Sequence, residues 1–362
     1  MIKKGRASTQ RIRSTPFTSR VESSGVTSYT AYNHMLLPTV FESLEADYEH
    51  LIKHVQLWDV SCQRQVEIRG SDAGRLTQLL TPRDLSKIDY LQGKYAPLCD
   101  ETGAILNDPI IIKLEDDRWW ISIADADIKL WAKGIAYGMG LEVKVSEPDV
   151  WPLAVQGPLA EKLVERVFGP SVPSIKFFRG QWLKFQGQEM LVMRSGWSKQ
   201  GGFEIYLNDF SLGEALWDAL ASKGQDLNVR AGCPNQIERL ESGLLSYGGD
   251  MSEMDNPFEC GLGKYVDLEA EVESISLPAL RNLHGKHKKL LVGIAFPEVV
   301  DVPGLTFVEQ GRVVGRITAQ TWSPKYNEFI MFAMMDRDRV ESCSEILVNG
   351  VTGSFVPLAR EK

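Results

Sequence analysis

The chain has 362 residues, of which 43% are hydrophobic and 24% charged, and its formal net charge at pH 7 is −8. This length and composition fit a globular protein with two or three packed units. The acidic balance argues against nucleic acid as the main partner, because phosphate binding depends on clustered lysine and arginine.

Helix and strand patterns alternate in the first part of the chain. Apolar residues at helical spacing predict a helix over Met35–Leu57. Gly70–Asp72 predicts a turn that leads into a short amphipathic helix, Ala73–Leu80, and Asp125–Met139 has the pattern of a further helix. The runs typical of strands are Arg64–Arg69, Lys94–Leu98, Ile110–Leu114 and Trp119–Ile123.

The same order of elements recurs after Trp151. Its predicted strands are Leu153–Val155, Trp182–Phe185, Glu189–Arg194 and Phe203–Leu207, and its predicted helices are Leu159–Val167, Leu212–Leu220 and Asn235–Leu245. Two such halves predict a pair of related α+β units, over residues 1–150 and 151–282, rather than a doubly wound parallel sheet.

The pattern changes again after Leu283 to short strands separated by glycine turns. These strands are Lys289–Ala295, Leu305–Val308, Arg312–Thr318, Phe329–Met334 and Glu345–Val348. Residues 283–362 are therefore predicted to form a small antiparallel barrel or sandwich.

The cysteines offer no evident metal site. All five stand singly without a CxxC pair, and only five histidines could join them. Zinc ligands usually come in close pairs, so we expect no metal and reduced thiols in the cytoplasm. No apolar run approaches the ~20 residues of a membrane span. The basic opening is either a targeting segment or, as we favour, a solvated arm; its cations are Lys3, Lys4, Arg6, Arg11, Arg13 and Arg20.

Two segments could carry chemistry. Asn107-Asp108-Pro109 precedes an apolar strand, and Asp108 is either a turn residue or a carboxylate at the mouth of a pocket. Arg194–Tyr206 places a glycine-rich loop with Trp197 at its tip between two strands, and Glu204 and Tyr206 share one strand face. From position alone, the structural interpretation is favoured for both segments.

A family resemblance changes that balance. Arg194-Ser-Gly-Trp-Ser-Lys-Gln-Gly-Gly-Phe-Glu204 resembles, at equal length, the R-T-G-Y-T-G-E-D-G-F-E segment of the glycine-cleavage T-protein family. Further matches occur in the same order: Trp58-Asp-Val-Ser61, Gly93-Lys-Tyr95, Asn107-Asp108, Val155-Gln-Gly-Pro158, Arg239-Leu-Glu241, Asp255-Asn-Pro-Phe-Glu259, Gly315-Arg-Ile-Thr318 and Trp322-Ser-Pro324. The resemblance covers nearly the whole chain beyond residue 20.

The resemblance implies a three-domain cloverleaf, with two α+β units and a C-terminal antiparallel β-barrel around a tetrahydrofolate site. By it, Asp108 is the carboxylate near the reacting folate nitrogens and Glu204 grips the pterin. The other residues expected at folate are Tyr95, Ser122, Tyr206 and Arg239. A bidentate carboxylate suits the N–H edge of a pterin, and a cation suits the anionic end of folate.

Departures from the family pattern indicate the substrate. Asn107 replaces one aspartate of a pair, Trp197 replaces a tyrosine, and Gln200-Gly201 replaces two acids. An aromatic loop with fewer anions nearby suits a small methylated cation, because aromatic faces attract onium groups.

A demethylating subfamily fits these departures. Four segments resemble it: Thr15–Val21, Tyr29–Pro38, Lys53–Asp59 and Ser122–Asp127. The implied reaction moves a methyl group from dimethylsulfoniopropionate to N5 of tetrahydrofolate, giving methylmercaptopropionate and 5-methyltetrahydrofolate. In that reaction Asp108 orients folate and helps accept the N5 proton, and Trp197 and Tyr206 shape the sulfonium pocket. Lys94 or Arg20 holds the propionate, or else is a solvated surface cation.

Three rivals stay open. The first is a glycine-cleavage aminomethyltransferase, against which the loop substitutions argue. The second is a folate-binding assembly protein for iron–sulfur clusters, whose K-G-C-Y-x-G-Q-E motif has no cysteine counterpart in Leu245–Met251. The third is a demethylase of another onium compound or a methylamine. The expected partners are the sulfonium substrate and folate, with no nucleic acid and no membrane, and a homodimer is an open alternative.

Overall fold

The computed structural model describes residues 11–360, so Lys3, Lys4 and Arg6 of the basic opening lie outside the described residues. The α-helices of the described chain are α1 (Thr18–Ser23), α2 (Leu44–Leu51), α3 (Ala73–Leu79), α4 (Ile128–Gly138), α5 (Ala160–Phe168), α6 (Gly213–Lys223), α7 (Gln236–Ser242), α8 (Leu277–Leu283) and α9 (Arg337–Ser342). None of these helices is long and apolar enough to cross a membrane.

The β-strands number twenty-one within the described residues. The first ten are β1 (Ser28–Tyr32), β2 (Met35–Val40), β3 (Gln56–Asp59), β4 (Gln65–Arg69), β5 (Gln92–Tyr95), β6 (Leu98–Cys99), β7 (Ile105–Asn107), β8 (Ile110–Glu115), β9 (Arg118–Ser122) and β10 (Lys144–Ser146). The others are β11 (Trp151–Gln156), β12 (Gly180–Phe185), β13 (Gln188–Met193), β14 (Gly202–Leu207), β15 (Arg230–Gly232), β16 (Lys289–Phe296), β17 (Thr306–Glu309), β18 (Arg312–Ser323), β19 (Glu328–Asp336), β20 (Glu345–Val348) and β21 (Val351–Val356). The predicted α+β class is confirmed.

The long helix predicted over Met35–Leu57 is wrong. The structure has strand β2, helix α2 and strand β3 there. Pro38 lies inside β2, and proline disfavours a helix interior because it lacks an amide hydrogen. The helix begins only at Leu44, where the side chain of Ser43 accepts a hydrogen bond from the amide of Ala46.

The described chain groups into two compact units, each built from separate segments. Unit 1 contains the described residues up to Arg64, Asp149–Gly196 and Gln200–Asn235, and unit 2 contains Gln65–Pro148, Trp197–Lys199 and Gln236 onwards. The three domains predicted at 1–150, 151–282 and 283–362 remain a prediction.

Unit 1 is built on a six-stranded sheet in the order β12-β13-β14-β11-β3-β15. Strand β15 pairs in parallel with β3, and the other neighbours are antiparallel. Phe203, Ile205 and Leu207 belong to the main hydrophobic core of this unit. Because side chains alternate along a strand, Glu204 and Tyr206 lie on the opposite face of the sheet.

Unit 2 contains a five-stranded antiparallel sheet in the order β10-β4-β9-β8-β5. Val66, Ile111 and Ile121 pack on one face with residues of helices α3 and α4. Tyr95 is opposite Ile110 on β8, and Ile110 is opposite Ser122 on β9. Tyr95 and Ser122 therefore share the other face of this sheet.

The C-terminal part of unit 2 is a six-stranded antiparallel half-barrel in the order β17-β18-β19-β16-β21-β20. Ile294, Phe296, Met331 and Ile346 belong to its core. The five strands predicted after Leu283 are confirmed, and β21 is the strand that was not predicted.

Candidate active site

Asp108 lies in the short connection between β7 and β8. The amide of Ala124 donates to Asn107 Oδ1 at 2.9 Å, and the hydroxyl of Tyr95 donates to Asp108 Oδ2 at 3.0 Å. Both residues of the Asn-Asp pair are thus held by other parts of unit 2. Asp108 therefore lies in an irregular strand connection, and its carboxyl group is held by a hydrogen bond from Tyr95.

Burial raises the pKa of the Asp108 carboxyl to about 7. The nearby charge of Asp250 adds to this rise, and the hydrogen bond from Tyr95 opposes it. Burial and the neighbouring Asp108 also raise the pKa of Tyr95 well above its usual value, so Tyr95 stays a hydrogen-bond donor. A carboxyl that titrates near neutral pH is suited to take up and release a proton in a reaction.

Two further side chains, those of Tyr265 and Arg83, pack beside Tyr95. The ring of Tyr265 meets the ring of Tyr95 edge-on, with the centroids 4.8 Å apart. The guanidinium carbon of Arg83 lies 5.1 Å from the centroid of Tyr265, and Arg83 Nη1 donates to the main-chain oxygen of Tyr95. Neither Tyr265 nor Arg83 was among the predicted site residues, since no local motif distinguishes either residue.

Ser122 lies on the same sheet face as Tyr95 but is buried. Its hydroxyl accepts a hydrogen bond from Gln65 Nε2 at 3.0 Å. Strand register alone brings Ser122 to this face, one strand beyond Ile110. Its predicted role in folate binding remains a prediction.

Trp197 lies beside helix α7 in unit 2. The guanidinium carbon of Arg239 is 6.0 Å from the centroid of the Trp197 ring. Arg239 is buried, and its Nη1 donates to Asp250 Oδ2 at 2.7 Å. Asp250 was not predicted as a site residue, because an acid after Gly248-Gly249 is indistinguishable in sequence from an ordinary turn residue. The expected place of Arg239 at the polar end of folate stays a prediction.

Glu204 and Tyr206 form a second group, in unit 1. Glu204 is buried, and it accepts hydrogen bonds from the hydroxyls of Ser195 and Tyr206. Burial raises the pKa of Glu204, and both hydrogen bonds lower it. Tyr206 is only 1% exposed, so its ring is packed inside unit 1. The structure thus pairs Glu204 and Tyr206 as their strand periodicity predicts.

The glycines of the Gly-rich loop make room for Gln156. A Cβ atom on Gly196 would lie 1.9 Å from Gln156 Nε2, and one on Gly202 would lie 2.3 Å from it. Gln156 Nε2 donates to the main-chain oxygen of Ser195 at 3.1 Å. The glycines therefore hold a hairpin around Gln156 and do not form a phosphate-binding loop.

The two cations proposed for the substrate carboxylate, Lys94 and Arg20, lie in different units and have different partners. Lys94 alternates with Tyr95 along β5, so its side chain leaves from the opposite sheet face, and its Nζ donates to the main-chain oxygen of Asp84 at 3.1 Å. Arg20, in unit 1, makes two 2.7 Å hydrogen bonds to the carboxylate of Asp218 and lies 3.3 Å from Glu214. Arg20 is already neutralised by these two acids.

A separate cavity of about 430 Å³ lies in unit 1 beside Trp217. It contains none of the predicted site residues, and three charged residues line it. Arg230 lies 3.7 Å from the carboxylate of Glu42, and Asp47 accepts hydrogen bonds from the main-chain amides of Phe41 and Glu42. Within residues 11–360, no group of three or more His, Cys, Asp or Glu side chains could hold a metal ion.

The sequence of the chain matches a known protein family. The family model of the GCVT N-terminal domain matches residues 17–270, which is more than half of the chain. The chain therefore belongs to the GCVT family, and the predicted membership of the glycine-cleavage T-protein family is confirmed.

Individual relatives resemble the chain along most of its length. It is 49% identical over 331 residues to dimethylsulfoniopropionate demethylase DmdA of Ruegeria pomeroyi, covering 91% of this chain and 90% of that protein. It is 28% identical over 310 residues to an aminomethyltransferase of Clostridium botulinum, covering 83% of each. The crystal structure of the glycine cleavage system aminomethyltransferase T from Bartonella henselae matches with a TM-score of 0.82 at 21% identity, over 95% of this chain and 97% of that one. This last match shows the fold alone.

Proposed function

We propose that this protein is a tetrahydrofolate-dependent methyltransferase that demethylates dimethylsulfoniopropionate in the cytoplasm. The observation that carries the proposal is the 49% identity over 91% of the chain to a relative named as this demethylase. The identity to the aminomethyltransferase relative is lower, at 28%, so the demethylase is the better-supported choice. The departures at Trp197 and Gln200-Gly201 agree with this choice.

The residues present fit a folate co-substrate. Two buried or partly buried carboxyl groups, Asp108 and Glu204, each have a raised pKa and a hydroxyl neighbour. Such groups can accept hydrogen bonds from a pterin edge. When bound, tetrahydrofolate supplies N5, which takes the sulfonium methyl group and loses a proton, while the S–CH₃ bond electrons remain on the thioether product.

Asp108 would orient the acceptor and hold the released proton. Its Oδ2 already accepts the hydroxyl hydrogen of Tyr95, so Oδ1 is the atom assigned to that proton. With a pKa of about 7, the carboxyl can take the proton and return it to water without a large energetic cost. The neutral thioether is a good leaving group, so orientation matters more than acid–base strength.

Trp197 would bind the methylated cation through the face of its ring. We propose Tyr95, Ser122 and Tyr206 as further folate-binding residues, with Tyr206 also shaping the sulfonium pocket, and Glu204 as the residue that binds the pterin. Arg239 is also expected near the polar end of folate, but Asp250 already neutralises it, so we assign it to the support of Trp197 rather than to folate. For the propionate, Lys94 and Arg20 stay the proposed cations, but the structure favours neither. Lys94 leaves β5 on the face opposite Tyr95, and two carboxylates already neutralise Arg20.

The test compares methyl donors directly. The purified protein is incubated with tetrahydrofolate and one donor at a time: dimethylsulfoniopropionate, betaine, dimethylglycine or sarcosine. Chromatography then measures 5-methyltetrahydrofolate, 5,10-methylenetetrahydrofolate and methylmercaptopropionate. We expect 5-methyltetrahydrofolate and methylmercaptopropionate in equal amounts with the sulfonium donor. Turnover of an amine donor without turnover of the sulfonium would overturn the substrate assignment.

The aminomethyltransferase alternative needs a separate arm of this experiment. An aminomethylated lipoyl carrier protein replaces the methyl donor, and release of ammonia with methylenetetrahydrofolate is measured. Activity here, with none on dimethylsulfoniopropionate, would identify a glycine-cleavage enzyme instead.

A further inference from the structure

We propose that helix α7 and Asp250 hold Trp197 in place as a clamp, and that this clamp sets the preference of the site for a methylated cation. The clamp consists of Glu238, Arg239 and Asp250, all in unit 2. Its effect on substrate choice rests on the proposed demethylase function, whereas its effect on Trp197 does not.

The first part of the clamp holds the main chain. Glu238 is buried, and its Oε1 accepts the amide hydrogen of Lys199 at 2.8 Å and the hydroxyl of Ser242 at 2.8 Å. A hydrogen bond to a buried carboxylate is stronger than one between neutral groups. The chain is therefore anchored two residues after Trp197.

The second part supports the ring. Arg239 lies with its guanidinium carbon 6.0 Å from the Trp197 centroid, and it donates to Asp250 Oδ2 at 2.7 Å. Asp250 is fully buried; Oδ2 also accepts the amide of Ser246 at 2.9 Å, and Oδ1 accepts the hydroxyl of Thr318 at 2.8 Å. Strand β18 of the half-barrel thus fixes Asp250, and Asp250 fixes Arg239.

The charges explain why this arrangement favours a cationic substrate. A bare guanidinium beside the ring would repel a second cation at Trp197, because the two charges would share a poorly solvated region. Asp250 neutralises Arg239, so the ring keeps its attraction for an onium group. Loosening either part of the clamp should therefore weaken binding of the sulfonium more than binding of folate.

Matched variants separate the clamp from general stability. Glu238→Ala is compared with Glu241→Ala, because Glu241 is a buried glutamate on the same helix that also accepts one serine hydroxyl and one main-chain amide, from Ser323 and Lys325. Thr318→Val is compared with Thr321→Val on the same strand, where the hydroxyl donates to a main-chain oxygen. If either glutamate variant fails to fold, the threonine pair carries the comparison.

The first measurement is steady-state kinetics with each substrate varied. Loss of a hydrogen bond to a charged group is worth about 1.5–3 kcal/mol, so Glu238→Ala and Thr318→Val should raise KM for dimethylsulfoniopropionate roughly 10-fold or more. We expect KM for tetrahydrofolate to change less than about twofold, Thr318→Ser to restore the wild-type KM, and both controls to match wild type. Equal changes in both KM values, or the same changes in the controls, would overturn the clamp's role in selectivity.

The second measurement does not depend on activity. The protein is labelled with 5-fluorotryptophan, and the ¹⁹F signal of Trp197 is assigned from its loss in Trp197→Phe. We expect this signal to shift or broaden in Glu238→Ala and Thr318→Val and to stay unchanged in the two controls. An unchanged signal in both clamp variants would refute the clamp itself. A shifted signal in an enzyme inactive on dimethylsulfoniopropionate would keep the clamp and reject the proposed function together with its selectivity.

Discussion

The hydroxyl of Tyr95, on β5, donates a hydrogen bond at 3.0 Å to Oδ2 of Asp108, which lies in the connection between β7 and β8. This hydrogen bond lowers the pKa of Asp108. Burial and the charge of Asp250 raise the pKa by more than the bond lowers it, and the result is a pKa of about 7. The carboxyl therefore changes its charge within the pH range where activity is measured.

The first prediction concerns this titration. If ionised Asp108 is the active form, kcat/KM should rise about tenfold per pH unit below pH 7 and level off above it. Tyr95→Phe removes a hydrogen bond that lowers the pKa, so the midpoint should move to higher pH. Initial rates between pH 5 and 9 provide the measurement, and a flat profile in the wild type would contradict the role given to Asp108.

The second prediction concerns Asp108→Asn. Removal of the carboxylate should lower kcat roughly 100-fold, the lower range for a general base. The folded-state pKa of Asp108 is raised above its unfolded value of 3.8, so its contribution to stability is present at pH 3 and lost as pH rises through 7. The asparagine variant should therefore gain roughly 1–3 kcal/mol over wild type at pH 8 and nothing at pH 4.

Thermal and urea unfolding at both pH values measure this difference. Wild-type activity in Asp108→Asn would return Asp108 to the role of a turn residue. Equal stability changes at pH 4 and pH 8 would show that the carboxyl is not held in the raised state described here.

The third prediction concerns Ser195→Ala in unit 1. The Ser195 hydroxyl lowers the pKa of the buried Glu204, so its loss should raise that pKa further. The variant should lose roughly 1–3 kcal/mol of stability, because a buried carboxyl group loses one hydrogen-bond donor. The loss should grow as the pH rises, because the hydroxyl favours the ionised form of Glu204. Unfolding curves over a series of pH values test this, and Ser198→Ala is the control.

The fourth prediction concerns Trp197. A cation–π interaction contributes about 0.5–2 kcal/mol, so Trp197→Leu should raise KM for dimethylsulfoniopropionate roughly 2- to 30-fold. Trp197→Phe keeps an aromatic face and should have a smaller effect. Steady-state kinetics with both variants measure it, and an unchanged KM in Trp197→Leu would remove Trp197 from the sulfonium pocket.

Most strands and helices could be predicted because their signals are local. The alternation in β14 placed Glu204 and Tyr206 on one face, and the glycine turns after Leu283 indicated the antiparallel half-barrel. The region from Met35 to Leu57 has apolar residues at helical spacing but forms strand, helix and strand, because Pro38 disfavours a helix and Ser43 caps the helix only at Leu44.

The sequence by itself determined the family and the α+β class, and it singled out Asp108 and Trp197 as candidate site residues. These features depend on motif order and on the spacing of apolar residues, and both can be read directly from the sequence. Only the tertiary structure decided that Asp108 titrates near 7 and that Arg239 is neutralised by Asp250. A pKa depends on burial and on charges brought close from distant segments, and the partner of a buried cation depends on packing. Neither is encoded in the spacing of residues along the chain.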